Sequence, residues 1–475
     1  MIRTWTAYLL WAVAAAPAAS VDPAKVLENA DAAVDRAMWA LHAPGVAVGI
    51  IQDGKVILAK GYGVRRLNET AAVTADTLFA VGSMTKSFTA VTVAVMVDEK
   101  KLEWDQPVRE YLPWFRMYDP VATELMTPRD LLTHRSGLPR HDFIRFSTPL
   151  TRAELVRRLR YLEPNRTFRD VYQYNNLMYV TAGFLAGEVA GTTWEELVKS
   201  RIYKPLAMDR SNTSTAETRK QDNFAWPHVT IGGAVQSTEF YDYQKFGVGP
   251  NGAVNSTVND MLKYLDFHLS NGTVNGRRLI SQAQMLELHK PVTVTGPGGY
   301  ALGWNVYSRA GHKVWEHGGS ITGFTSMMIL LPEERAGVVV LNNLDSRLPA
   351  AVAWDLAENL LGLPRSGKLP AAPAGRPSKV RDSAAPKPTL QLAEYTGTYF
   401  HPAYGTIRVE AEDGGLAALF GAAKVLLKPY RYDTFECESQ FVSGLAQFHL
   451  NGAGKASELL LPLEPAVKPF VFVKR

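Results

Sequence analysis

Along the first sixty residues the apolar pattern changes period. Leu27, Val34, Met38 and Leu41 recur at three- and four-residue spacing, with Asp31 on the same stripe, which predicts an amphipathic helix with one polar interruption. Residues 45–51 and 55–62 are then β-rich runs joined by Asp53-Gly54, a strong hairpin signal. A long helical stretch follows. Residues 87–97 are almost wholly apolar, as expected for a buried helix. Thr127-Pro128 with Asp130 marks a helix start, Thr151 with Glu154 and Thr192 with Glu195 read as capping boxes, and Thr257 with Asp260 opens a helix that Asn271-Gly272 ends. Strands return at 313–316, 322–331 and 337–342, and a helix at 350–361 closes the unit. Early and late strands with helices between them predict one sheet completed by distant parts of the chain, an α+β fold.

After residue 364 the pattern stops. Residues 365–388 are proline, alanine and charge without hydrophobic periodicity, a linker. Beyond it, runs at 395–410, 416–420, 435–450 and 459–473, with turns at Asp413-Gly414-Gly415 and Asn451-Gly452, predict a small all-β domain, a barrel, over 389–475. The length of the linker leads to the expectation that the first unit folds without apolar contacts from the second.

Composition sharpens this outline in three places. The net charge of +5 over 475 residues resides in the linker, which carries six basic side chains and one acid, so the remainder is neutral overall and offers no basic face for nucleic acid. The N-terminus joins Arg3, an apolar run from Trp5 to Ala16 and small residues before Val21, which reads as a secretory signal peptide over 1–20; the run is short for a membrane span, and an exported, periplasmic or secreted protein is expected. The single cysteine, Cys437, excludes an internal disulfide and is expected in a strand.

The candidate chemistry begins at Ser83-Met84-Thr85-Lys86. Ser83 would lie at the start of the buried helix, where free N–H groups and the helix dipole stabilise negative charge. Lys86, three residues on, shares its face and can reach the hydroxyl, and burial disfavours the charged amine, making it a usable base. Alone the motif is weak, because a capping serine with a snorkelling lysine has the same spelling. Two further motifs follow in order: Tyr174-Asn175-Asn176 and His317-Gly318-Gly319. The three together, with residues 127–137, Asn251-Gly-Ala-Val and Leu302-Gly-Trp304 around them, resemble the class C β-lactamases and their penicillin-binding relatives over residues 25–362. The tail resembles the lipocalin-like β-domain often appended to that family. The resemblance implies a β-lactamase/transpeptidase-like fold: an antiparallel sheet flanked by helices, with an all-helical subdomain, over 21–364. It implies that Ser83 attacks a carbonyl, that Lys86 takes or relays its proton, and that Tyr174 protonates the leaving group and then activates water. Asn176, His317 and Gly319 would contact substrate, and the N–H groups of Ser83 and Ser320 would form the oxyanion hole.

The third motif departs from the family. β-Lactamases carry Lys-Thr-Gly there, which binds a substrate carboxylate, whereas His317 offers charge only below its pKa and Gly318 has no hydroxyl. Strong β-lactam hydrolysis is therefore not expected; an amide or peptide containing a D-residue is, with a carboxylic ester or a weak β-lactamase activity as alternatives and a noncatalytic sensor of cell-wall fragments as a reading of another class. His134 is expected to hold the loop at Ser136-Gly137. No spacing of His, Cys or carboxylates suits a metal, no cofactor motif occurs, and nothing in the sequence sets an oligomeric state.

Overall fold

The computed structural model describes residues 23–147, 149–243, 246–364, 386–421, 423–439 and 442–475. The expected signal segment and most of the linker lie outside these residues.

The predicted first helix is α1 (Pro23–Leu41), followed by the hairpin β1 (Gly45–Gln52) and β2 (Lys55–Gly63), with Asp53 and Gly54 both at positive φ in the turn. The central helices include α2 (Thr85–Asp98), α3 (Asn176–Ala190) and α4 (Val258–Leu269). Thr127, Thr151 and Thr257 cap helices as expected, but the cap near 192 is Thr193, whose side chain accepts from Glu196 N. The sheet is then completed by β3 (Thr293–Thr295), β4 (Gly298–Tyr300), β5 (Asn305–Arg309), β6 (His312–Ile321), β7 (Phe324–Leu331) and β8 (Ala336–Asn342), and α5 (Leu348–Leu360) follows. All eight strands pair antiparallel in the order β2-β1-β8-β7-β6-β5-β4-β3.

The apolar runs of the central strands do not alternate because both faces are covered. Val46, Val48, Ile329, Val338 and Val340 pack under α1 and α5, while Ala47, Met328, Leu330, Val339 and Leu341 face the helical layer that contains α2 and α4. Burial on both sides removes the period-2 signal. The sequence pattern missed β3, β4 and β5, which are three to five residues long, and it ended β6 at Glu316, before the His-Gly-Gly segment that extends it.

The C-terminal unit is a closed eight-stranded antiparallel barrel: β9 (Gly397–His401), β10 (Gly405–Glu412), β11 (Gly415–Phe420), β12 (Ala423–Arg431), β13 (Thr434–Glu438), β14 (Ser443–Leu450), β15 (Ala456–Leu461) and β16 (Phe470–Lys474), closed by β9 on β16. Its interior is filled by alternating side chains such as Tyr399, Val409, Leu427, Phe435, Phe448 and Phe472, and Cys437 is buried on β13. The run at 395–410 covers a helical turn and two strands, the runs at 435–450 and 459–473 each cover two strands, and β12 contains Pro429, tolerated because the register with β13 shifts there.

The barrel packs on the helical layer, and the two units make apolar and polar contacts that the length of the linker does not indicate. Phe143 meets Phe420 edge-on at 4.9 Å and Tyr404 at 6.1 Å, Arg158 donates to Ala403 O at 2.8 Å, and His141 N donates to the Glu464 carboxylate at 2.7 Å. These contacts bury a continuous apolar core across both units. Phe143→Ala is expected to cost about 3–5 kcal/mol, the usual penalty for emptying a buried phenylalanine site. A urea titration followed by near-UV circular dichroism measures it, and an unchanged midpoint would mean that the two units are energetically separate.

Candidate active site

Ser83 is presented by a tight approach between two backbones. Val81 N donates to Val254 O at 3.0 Å, and a single 3-10 turn, Gly82–Met84, then leads into α2. Gly82 has φ +52, and a Cβ on it would lie 2.6 Å from Ser320 N; a Cβ on Gly319 would lie 1.9 Å from Val81 O. Only glycine permits this contact. Ser326 Oγ donates to Val81 O at 2.8 Å and locks the turn to the sheet. What approaches Gly319 most closely is therefore the chain's own backbone, and this seats the Ser83 turn against β6, so that Ser83, Gly319 and Ser320 share one cleft of about 860 Å³.

Lys86 lies in the first turn of α2 and is fully buried. Its Nζ is 3.1 Å from Ser83 Oγ, 2.8 Å from Asn176 Oδ1 and 2.9 Å from Asn251 O. Burial, and secondarily the positive charge of Arg145, hold its pKa well below the ordinary lysine value, with Asp142 opposing the shift. A neutral amine has two hydrogens and one lone pair. Asn251 O can only accept, and Asn176 presents an oxygen, so both hydrogens are committed and the lone pair is directed at the hydroxyl of Ser83. Tyr174 donates its hydroxyl to Ser83 Oγ from the other side, at 2.7 Å. Burial pushes the Tyr174 phenol up to about 12, so it remains a proton donor at neutral pH.

The Tyr-Asn-Asn segment is set by hydrogen bonds that use both asparagines. Asn175 is the N-cap of α3: its Oδ1 accepts from Met178 N and its Nδ2 donates to Pro139 O. Asn176, the first residue of α3, turns its oxygen to Lys86 and donates Nδ2 to Asp142 Oδ1 at 2.9 Å. His134 carries the segment from beneath. Its Nδ1 accepts from Asn175 N at 3.0 Å, its carbonyl accepts from Gln173 N, and its ring packs 4.3 Å from that of Tyr174. The expectation that His134 holds the Ser136-Gly137 loop is replaced by this contact with the Tyr174 segment.

His317 lines the same cleft as Ser83. Its ring is buried, and burial, with the nearby Lys86 contributing, lowers its pKa to about 3. Because Gly318 O can only accept, the proton sits on Nδ1, and Nε2 accepts from the Tyr300 hydroxyl at 3.0 Å. His317 is thus neutral throughout the physiological range, and it borders the cleft as an uncharged ring. Gly318 leaves ordinary room beside it, since a Cβ there would meet Met327 Sδ at 3.5 Å.

Sequence reasoning missed Arg140, Asp142 and Arg145, which line the cleft opposite Ser83. The Asp142 carboxylate accepts from Arg145 Nε at 2.7 Å and Arg140 Nε at 2.6 Å, and the Arg140 guanidinium lies 5.1 Å from the centre of the Tyr174 ring. No motif spacing signals this segment. The carbonyl of Asn251 was missed for a simpler reason, since any residue carries one. Among the described residues no group of three or more His, Cys, Asp or Glu side chains could hold a metal.

A serine hydroxyl contacted by a buried lysine amine on one side and a phenol on the other, in a cleft, is the arrangement of a serine hydrolase. The profile of the β-lactamase family matches residues 30–362, and a domain of unknown function (DUF3471) matches 381–472. The unguisins hydrolase ungD' of Aspergillus campestris is 28% identical, the match covering 90% of this chain and 84% of that protein. The structure of the octameric penicillin-binding protein homologue from Pyrococcus abyssi superposes with a TM-score of 0.64 at 24% identity, covering 94% of this chain and all of the other. The D-amino acid amidase from Ochrobactrum anthropi superposes with a TM-score of 0.59 at 22% identity, covering 71% and 98%. The chain belongs to the β-lactamase family.

Lys86 is active only as the free amine, so the rate at which a fluorophosphonate labels Ser83 should fall as pH drops through the lowered Lys86 pKa and be flat above it. His317 titrates far below this range and adds no second step between pH 5.5 and 8.5. Lys86→Arg should abolish labelling, because a guanidinium keeps its proton. Peptide mass spectrometry of labelled samples across that pH range checks both, and an adduct at Ser136 or Ser320 would overturn the assignment.

Proposed function

We propose that the protein is an exported amidase or peptidase in which Ser83 is acylated by the carbonyl of a D-amino-acid-containing substrate. The observation that carries the reading is the two-sided contact at Ser83 Oγ: an amine lone pair on one side, a phenol on the other. As Ser83 Oγ bonds to the carbonyl carbon, Lys86 Nζ takes the hydroxyl proton and the carbonyl oxygen becomes an oxyanion facing the N–H groups of Ser83 and Ser320. When the carbon–nitrogen bond breaks, the leaving amine takes the Tyr174 proton, and Tyr174 recovers one from the Lys86 ammonium. The Ser83 proton has then travelled by way of Lys86 and Tyr174 to the amine; Lys86 is again the free amine, able to take a proton from the water that hydrolyses the ester, and Tyr174 is again the protonated phenol.

An amine leaving group needs protonation far more than an alkoxide does, so a well-buried phenol donor favours amides. The printed activities of the similar proteins, an unguisins hydrolase and a D-amino acid amidase, support the same class. A carboxylic ester remains the second substrate class, since the same acyl-enzyme would form. A cephalosporin is disfavoured because neither His317 nor Gly318 supplies the cation and hydroxyl that a carboxylate would meet there. Export rests on the composition of residues 1–20 and is tested by N-terminal sequencing of the protein recovered outside the cytoplasm.

Tyr174→Phe should slow turnover of D-phenylalanine amide by roughly 10²–10⁴-fold, the usual worth of general acid–base help, and slow p-nitrophenyl acetate much less, because its leaving group needs no proton. Native kcat/KM should be higher for the amide than for a chromogenic cephalosporin. Equal loss on both substrates, or efficient cephalosporin turnover, would sink the reading.

A further inference from the structure

Asn176 serves Lys86 only if its amide is the right way round. Its two ends differ in chemistry, and what decides between them is Asp142: a carboxylate can only accept, so the Nδ2 end is drawn to Asp142 Oδ1 and the oxygen is left for Lys86. Turned over, Nδ2 would face Lys86 Nζ, an amine hydrogen would lose its acceptor, and the lone pair would rotate toward the amide and away from Ser83.

Asp142 is itself held from the barrel. On one side, His141 takes the left-handed conformation, φ +46, unusual for a residue with a Cβ, and its N–H donates to Glu464 Oε2 at 2.7 Å while its ring meets Phe470 at 5.9 Å. On the other side, Phe143 is seated edge-on against Phe420 at 4.9 Å. Both neighbours of Asp142 in the chain are therefore fixed by barrel residues, and Glu464 is buried between the connection 462–467 and the hydrolase unit.

We propose that Asp142 is a positioning residue that orients the Asn176 amide, and that the C-terminal barrel, acting through Glu464, is the element that keeps it in place. The barrel is then part of the catalytic apparatus without lining the cleft. The inference rests on Lys86 acting as the base for Ser83.

The test uses the full chain, with fluorophosphonate labelling of Ser83 and p-nitrophenyl acetate turnover as readouts. Asp142→Ala should slow both by about 10²-fold, and Glu464→Ala by about tenfold, with KM little changed, as expected when a reacting group is displaced by a fraction of an ångström to one ångström. The double variant should be no slower than Asp142→Ala alone, because the two changes act on one linkage. Asp142→Asn keeps an oxygen for both Asn176 Nδ2 and Arg145 and should retain most of the rate. It removes a negative charge, however, and so moves the acid limb of the labelling profile to lower pH. The groups facing Lys86 are Arg140, Asp142, Arg145, His134, His317, Tyr174 and Tyr179; burial keeps the histidines and tyrosines uncharged over that range, so the displaced limb reports Asp142. Should the alanine variants lack a native near-UV spectrum, the Asp142→Asn limb decides alone. Wild-type rates in Asp142→Ala, multiplicative losses in the double variant or an unmoved limb in Asp142→Asn would overturn the inference. Lys86→Ala separates the two levels: if it keeps its turnover, the base assignment fails and this inference with it, whereas an inactive Lys86→Ala beside a fully active Asp142→Ala overturns this inference alone.

Discussion

The constraint on which the rest depends is the burial of one amine. A lysine ammonium in a site that water does not reach is costly, and burial therefore shifts Lys86 toward its uncharged form while its hydrogens find two acceptors. Those acceptors come from distant segments, the start of α3 and the loop at Asn251, so an apolar α2 must be enclosed on several sides before the base exists at all. Thr85 and Thr89 extend this: Thr85 Oγ accepts from Val254 N, and Thr89 Oγ donates to Pro250 O, which ties the loop to the same helix on both sides of Lys86. Fold and reactivity are here one requirement, because loosening the enclosure would hydrate the amine and return its charge.

A second constraint is steric. The Ser83 turn and Ser320 come from two segments far apart in sequence, and their approach is set by the missing side chains of Gly82 and Gly319. Glycine at a strand position next to a reactive serine reads easily as space for substrate. In this chain the space is already taken by Val81 O and Ser326 Oγ. Clearing it serves to bring Ser320 beside the Ser83 turn, and only the open side of that contact is left for a ligand.

Much of this was legible in the sequence because the signals were local. The helix-start chemistry of Ser83-Met-Thr-Lys86 is written within four residues, the hairpin at Asp53-Gly54 within two, and the closed barrel in runs of alternating side chains. What could not be read depends on tertiary neighbours. Asp142 has no spacing that connects it to Asn176, thirty-four positions away, and the barrel reaches it through one backbone N–H. His317 was legible as a departure from lysine but not as a buried group, because β6 was read as ending before it. Pro429 hid β12, since a proline in a strand needs a register shift that only the partner strand reveals.

The burial of His317 changes what the departure from lysine means. An exposed histidine would be a weaker, pH-dependent version of the lysine it replaces, still reading the substrate's charge. Here the ring accepts from Tyr300, the Tyr300 ring lies 4.6 Å from His134, and His134 in turn holds the backbone N–H beside Tyr174. Position 317 is therefore a member of an aromatic cluster that packs against Tyr174 through His134 and Tyr300. An ammonium in its place would add a further positive charge near Lys86 beside those of Arg140 and Arg145, disfavouring any proton on that amine still further, and would leave the Tyr300 hydroxyl facing a group that cannot accept. Histidine here keeps position 317 uncharged and leaves an acceptor for the Tyr300 hydroxyl.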